Sequence, residues 1–277
     1  MAMSLKNSSC AGIIWQSPFF VIAKTSFAGD AVDLHLLPTI KPVCSFGGFR
    51  FTHGSGRLAA SNLLTHASCV YVTEARNDTV HVLDLKTKTR PSTLSVLKPG
   101  GIACHKKWLA VVSDFKHIII FHGDDGIQWG SLQTVHVEDG VNSLRFARDG
   151  LTLVGACYNH LVKVRTEDWS RQHDRDTAVE VEDGVVDLEE IDDGGWVLAT
   201  FGHVQHLHHL LPHLDTSAVT DVHEAWGFNL GLAVVPGLGL AVIFKTREYY
   251  STTLVRFFPP VDHNTFHLLL CRENKKK

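Results

Sequence analysis

Residues Val141 to Trp169 read VNSLRFARDG LTLVGACYNH LVKVRTEDW, and this stretch decides the fold. VNSLRF sets Val141, Leu144 and Phe146 among polar neighbours, and Asp149-Gly150 supplies the tight turn that ends a short strand. LTLVGAC is an almost unbroken apolar run, the pattern of a strand buried on both faces. Tyr158-Asn159-His160 then turns the chain into LVKVR, where Val162 and Val164 alternate with Leu161, Lys163 and Arg165. Three strands cannot bury their own faces, so copies are expected elsewhere in the chain.

Four further copies align on the middle of the second strand. VYVTEARNDTVHVLDL centres on Val72, LAVVSDFKHIIIFH on Val112, GWVLATFGHVQHLHHL on Leu198 and LGLAVIFKTREYYSTTLVRFF on Val242. With Val154, the anchors at 72, 112, 154, 198 and 242 are 40, 42, 44 and 44 residues apart. A period near this length without helical periodicity predicts an all-β chain, a β-propeller of four-stranded antiparallel blades. FFVIAKTSFAGDAVDLHLLP has the shape of a second and third strand, with Val21 placed 51 residues before Val72. Residues 1–45 are therefore expected to hold a degenerate blade, giving six blades with the five clear repeats. Residues 46–271 would carry the repeats and a closing strand, FHLLLC at 266–271, and residues 272–277 a charged tail.

The repeats resemble β-propeller repeats of the NHL family, and WD repeats as a second choice. The NHL likeness rests on Asn77 and Asn159 in the turn between second and third strands and on Asp114 at a position that is often Asp. That position is Glu74, Ala156, Thr200 and Phe244 in the other copies, and Leu83-Asp84 is the nearest approach to a Trp-Asp pair. The resemblance spans roughly residues 46–258. It implies a fold and a habit of binding macromolecules, not a reaction.

A net charge of -3 and a pI near 6.6 provide no global basic field, so a nucleic-acid partner is not expected. Ala11 to Ala23 is interrupted by Gln16, Ser17 and Pro18 and falls short of a membrane span; it also makes a poor secretion signal. Cys10, Cys44, Cys69, Cys104, Cys157 and Cys271 show no C-x-x-C spacing, which points to free thiols and a reducing, cytoplasmic setting.

Candidate sites follow from the fold. First strands of a propeller converge on its axis, and Gly101, Ser143, Asp187 and Gly231 stand at equivalent positions there. Asp187 is the one acidic residue among them and the candidate for a calcium site, which Asn142 and Asn229 would have to complete. A hydrolase, lactonase or lyase at that pore is the alternative function. His206 and His208, two apart in HVQHLHHLLPH, form a second candidate metal pair, for zinc. The favoured reading is a non-catalytic scaffold without cofactor, binding a protein through one propeller face. Its candidate contact residues are Phe115, Trp129, Trp169, Arg171, Phe201 and Trp226, each with packing between blades as its other reading.

Overall fold

The computed structural model describes residues 2–6, 8–16, 19–26, 30–36, 42–51, 58–60, 69–158, 160–172, 177–178, 184–190, 195–200, 205–210, 216–222, 231–235, 239–245 and 252–258. β1 (Ala2–Lys6) precedes β2 (Ser8–Gln16), β3 (Phe19–Ser26), β4 (Asp30–Leu36) and β5 (Pro42–Phe49), and β2 to β5 make a first sheet. β6 (Leu58–Ala60), β7 (Cys69–Glu74), β8 (Thr79–Asp84) and β9 (Thr89–Ser95) make a second. The third holds β10 (Ile102–His105), β11 (Trp108–Ser113), β12 (His117–His122) and β13 (Gly130–His136). The fourth holds β14 (Ser143–Phe146), β15 (Thr152–Ala156), β16 (His160–Arg165) and β17 (Thr177–Ala178). β18 (Val185–Glu190), β19 (Trp196–Thr200), β20 (Gln205–Leu210) and β21 (Thr216–Val222) form the fifth. In the sixth, β22 (Gly231–Val235), β23 (Gly239–Lys245) and β24 (Thr252–Phe258) are joined by β1, which pairs antiparallel with β24 from Ala2↔Arg256 to Lys6↔Thr252.

The chain is all-β and antiparallel. Val72, Val112, Val154, Leu198 and Val242 each lie in the second strand of a sheet, and Val21 lies in β3. The burial pattern explains why these strands are so apolar. Side chains alternate sides along a strand, and here the two sides feed two different cores. Val70 and Val72 of β7 pack with Val21, Val32 and Leu34 between the first and second sheets. Cys69 and Tyr71, on the other side of the same strand, pack with Leu109 and Val111 between the second and third. Ala110 and Val112 of β11 then meet Leu144, Leu153 and Val162 of the fourth sheet. Val154 and Ala156 of β15 meet Leu188, Trp196 and Leu198 of the fifth. The hydrophobic interior is therefore a series of slabs between consecutive sheets. Among the described residues, fourth strands carry no second neighbour, and β13 is exposed along most of its length.

First strands crowd one another. A Cβ on Gly101 would stand 2.8 Å from the Cα of Ser143 in the next sheet, so only glycine fits there. Contacts run from β2 to β6, β10, β14, β18 and β22 in turn, and β22 touches β2.

Two features differ from the sequence expectation. Residues 2–6 join the sixth sheet rather than the first, because the free edge of β24 offers them a full antiparallel ladder. β5 crosses the expected boundary at residue 45. The expected closing strand at 266–271 and the tail at 272–277 lie outside the described residues.

Candidate functional site

Asp187 is buried at the start of β18, and its carboxylate is already engaged. Ser143 Oγ donates to Oδ1 at 2.6 Å, the Leu188 amide donates to Oδ1 at 3.0 Å, and the Leu232 amide of the sixth sheet donates to Oδ2 at 3.0 Å. The Arg145 guanidinium stands 3.4 Å from Oδ1 and donates to Glu189 at 2.7 Å. Burial works to lower the Arg145 pKa, but Asp187 and Glu189 outweigh it and hold the group above its ordinary value. Burial pushes Glu189 up, against the pull of Arg145. Asn142 uses its amide to donate to the Val185 carbonyl at 2.8 Å, and Asn229 lies outside the described residues. A cation on Asp187 would have to displace three donors drawn from three sheets and sit beside a guanidinium. The geometry is that of a staple between sheets.

His206 and His208 fall on β20, the third strand of its sheet, with His206↔Asp221 and His208↔Val219 in register. The described residues include no group of three or more His, Cys, Asp or Glu able to hold a metal ion.

The contact candidates divide between the two ends of the molecule. Strands alternate direction, so the turn between second and third strands opens at the same end as the connection from one sheet to the next. We call this end the connection face. Trp129, Trp169 and Arg171 follow third strands and lie at the opposite end. There Trp169 is buried, its ring edge-on to Trp108 at 5.2 Å and to Phe146 at 6.4 Å, so it is packing between the third and fourth sheets. Trp129 is half-buried against Tyr71, with ring centroids 5.5 Å apart, and its Nε1–H donates to Gly126 O. Arg171 is half-buried and bridges to Val164 through its backbone. Phe201 and Trp226 lie outside the described residues.

Phe115 lies on the connection face. Its side chain is 57% exposed, and its backbone is left-handed, with φ +62° following Asp114 at φ +46°. Left-handed backbone brings Cβ against the carbonyl and costs about 1–2 kcal/mol in a residue other than glycine. Sequence reading missed two partners on this face. Leu97, in the connection from β9 to β10, is 53% exposed, and Tyr158, in the turn from β15 to β16, is 59% exposed. Apolar residues at turn positions were the available signal, but a turn residue of one sheet and a connection residue of another are not neighbours in sequence.

All three are displayed on pinned backbone. The Asp114 amide donates to Leu97 O at 3.0 Å, Val141 N to Phe115 O at 2.8 Å, and Val185 N to Tyr158 O at 2.9 Å. Ser113 Oγ also donates to Leu97 O, and Lys98 and Asp114, next to Leu97 and Phe115 in the chain, form an exposed ion pair at 3.0 Å. The Tyr158 ring lies over Gly184, whose φ of +85° and lack of Cβ give it room; a Cβ there would stand 2.7 Å from the ring. The other exposed large apolar residues are scattered. Val43 and Leu132 sit on fourth strands, Leu36 ends the third strand of the first sheet, and Leu151 lies in a turn of the fourth sheet.

No family's sequence pattern matches this chain, and no curated protein matches it. Solved structures do. The chain is similar to a structure titled as the hydrazine synthase of Kuenenia stuttgartiensis, with a TM-score of 0.57 and 16% identity over 79% of this chain and 71% of that one. It is also similar to a chain in a structure titled as the mitotic checkpoint complex, with a TM-score of 0.60 and 12% identity over 92% of this chain and 78% of that one. These neighbours are β-propeller proteins, and at such identities the likeness concerns the fold alone. Among the described residues no helix is long and apolar enough to cross a membrane.

Proposed function

We propose that this chain is a non-catalytic six-bladed β-propeller scaffold that binds a protein partner through its connection face. The observation carrying this reading is Phe115, a bulky aromatic held in left-handed backbone and left exposed. Strain of that kind persists where the surroundings over-determine it and concentrates at sites of use. Leu97 and Tyr158 extend the apolar surface across consecutive sheets, and rigidly held aromatic residues make effective interface anchors. Trp169 is left out of this surface.

Six four-stranded sheets, with β22 against β2, support the blade number. The N-terminal residues would supply both the fourth strand of the last blade and the whole of the first. An NHL-like ancestry is supported by Asn77 Nδ2, which donates to Glu74 Oε1 at 2.8 Å between two positions that carried the resemblance. A cytoplasmic setting is supported by Cys44, Cys69, Cys104 and Cys157, all free thiols.

The test is affinity capture with the wild-type chain and with a Phe115→Ala, Tyr158→Ala double variant. A protein retained by the wild type and lost by a double variant of unchanged melting temperature supports the reading. Equal retention by both would sink it.

A further inference from the structure

His117 and His136 lie at the edge of the connection face, apart from Asp187 and from the His206–His208 pair. His117 opens β12 and His136 ends β13, and the two are directly opposed in register. Their rings are 5.1 Å apart between centroids, and His136 Nδ1 stands 3.4 Å from His117 Nε2. His136 is exposed and His117 half-buried, so both can be reached from solvent.

We propose that His117 and His136 form a two-imidazole clip for a zinc(II) ion. Zinc–nitrogen bonds of about 2.0–2.1 Å at tetrahedral angles put two ligand nitrogens about 3.3–3.4 Å apart, whereas a cis edge of an octahedron with such bonds is about 2.8–3.0 Å. The observed separation matches the tetrahedral edge. Without metal, one imidazole N–H donates to the other ring nitrogen. Both nitrogens carry lone pairs once that proton moves to the other nitrogen of its own ring, and the rings must turn from facing each other to facing the shared ion. The described residues offer no third ligand, which leaves two positions for water or for a side chain of a bound protein. Phe115 is two residues before His117, in the turn that opens β12. The clip itself stands on the imidazole geometry and does not depend on a partner.

The test is calorimetric titration of zinc chloride into the metal-free chain, its His117→Ala and His136→Ala variants, and a His206→Ala, His208→Ala double variant. One binding equivalent present in the wild type is expected to disappear, or to weaken by at least about tenfold, in each of the first two and to persist in the third. His136 is exposed, so its variant keeps the test valid should His117→Ala unfold. Absence of zinc uptake by the wild type, or unchanged stoichiometry and affinity in His136→Ala, overturns the proposal.

Discussion

Phe115 and Trp169 share an unusual backbone and little else. Both are bulky aromatics in the left-handed region, at φ +62° and +57°. Trp169 is 5% exposed and Phe115 is 57% exposed. At Trp169 the strain is offset inside the chain, because the indole completes the slab between the third and fourth sheets against Trp108 and Phe146. At Phe115 nothing among the described contacts of the ring offsets it. Equal strain with opposite burial distinguishes the two residues, and exposure alone does not single out Phe115, since Leu151 is 66% exposed without such a backbone.

The largest expected effect tests the buried half of the pair. Trp169→Ala should destabilise the chain by about 3–5 kcal/mol, as for other buried tryptophans, while leaving partner capture intact in the folded fraction. Chemical denaturation measures the first and capture below the unfolding midpoint the second. A loss below about 1 kcal/mol would mean that the indole does not complete this core.

Next comes the polar seam that carries the chain from the first sheet to the second. Glu74 is 2% exposed and accepts from the Arg50 amide at 2.7 Å, Asn77 Nδ2 at 2.8 Å and His81 Nε2 at 2.6 Å. Burial works to raise its pKa, but the hydrogen bonds from His81, Arg50 and Asn77 together bring it below the ordinary 4.5. A carboxyl depressed in the folded state adds stability above its unfolded value, and that stability is lost as pH falls through the folded one. Glu74→Gln should therefore cost about 1.5–3 kcal/mol at neutral pH, with the gap to wild type narrowing below pH 4.5. A gap independent of pH down to strong acid would show that the carboxylate charge is not what the seam uses.

The legibility of the chain follows the same division. Second strands could be read because both their faces are buried, which writes an unbroken apolar run such as LTLVGAC at every repeat. The small residues of the inner ring could be read too, since Gly101 against Ser143 is a consequence of convergence. The role of Asp187 could not, because Leu232, which donates to it, is 45 residues away and acts through its backbone. Trp169 stood open between contact and packing, as its burial depends on Trp108 in the preceding sheet. β1 escaped notice because its partner, β24, lies at the far end of the chain. Leu97 and Tyr158 were missed because the face they share exists only once the sheets are stacked.

A smaller effect is expected at Gly184, which connects the pinned backbone to the displayed side chain. Its φ of +85° and the 2.7 Å approach of the Tyr158 ring to a built Cβ both exclude a side chain. Gly184→Ala should cost about 1–2 kcal/mol and push Tyr158 off its position, weakening partner capture as Tyr158→Ala does. A variant with wild-type melting temperature and capture would show that the connection yields easily and that Tyr158 is not held in place.

The smallest effect has the opposite sign and bears most directly on the comparison. Phe115→Gly removes a left-handed penalty of about 1–2 kcal/mol and adds the unfolded-state entropy of glycine, about 0.5–1 kcal/mol. A net gain of about 0.5–1 kcal/mol is expected, a rise of roughly 1–4 °C in melting temperature for a chain of this size. Phe115→Ala keeps a Cβ in the same backbone and removes only the ring, so it should lose the partner without that gain. Loss of capture in both variants, with stabilisation in the glycine one alone, would separate the ring's use in recognition from its backbone strain. A fall in melting temperature for both would instead place the phenyl ring in the fold, and Phe115 would then join Trp169 as a strained residue held by packing.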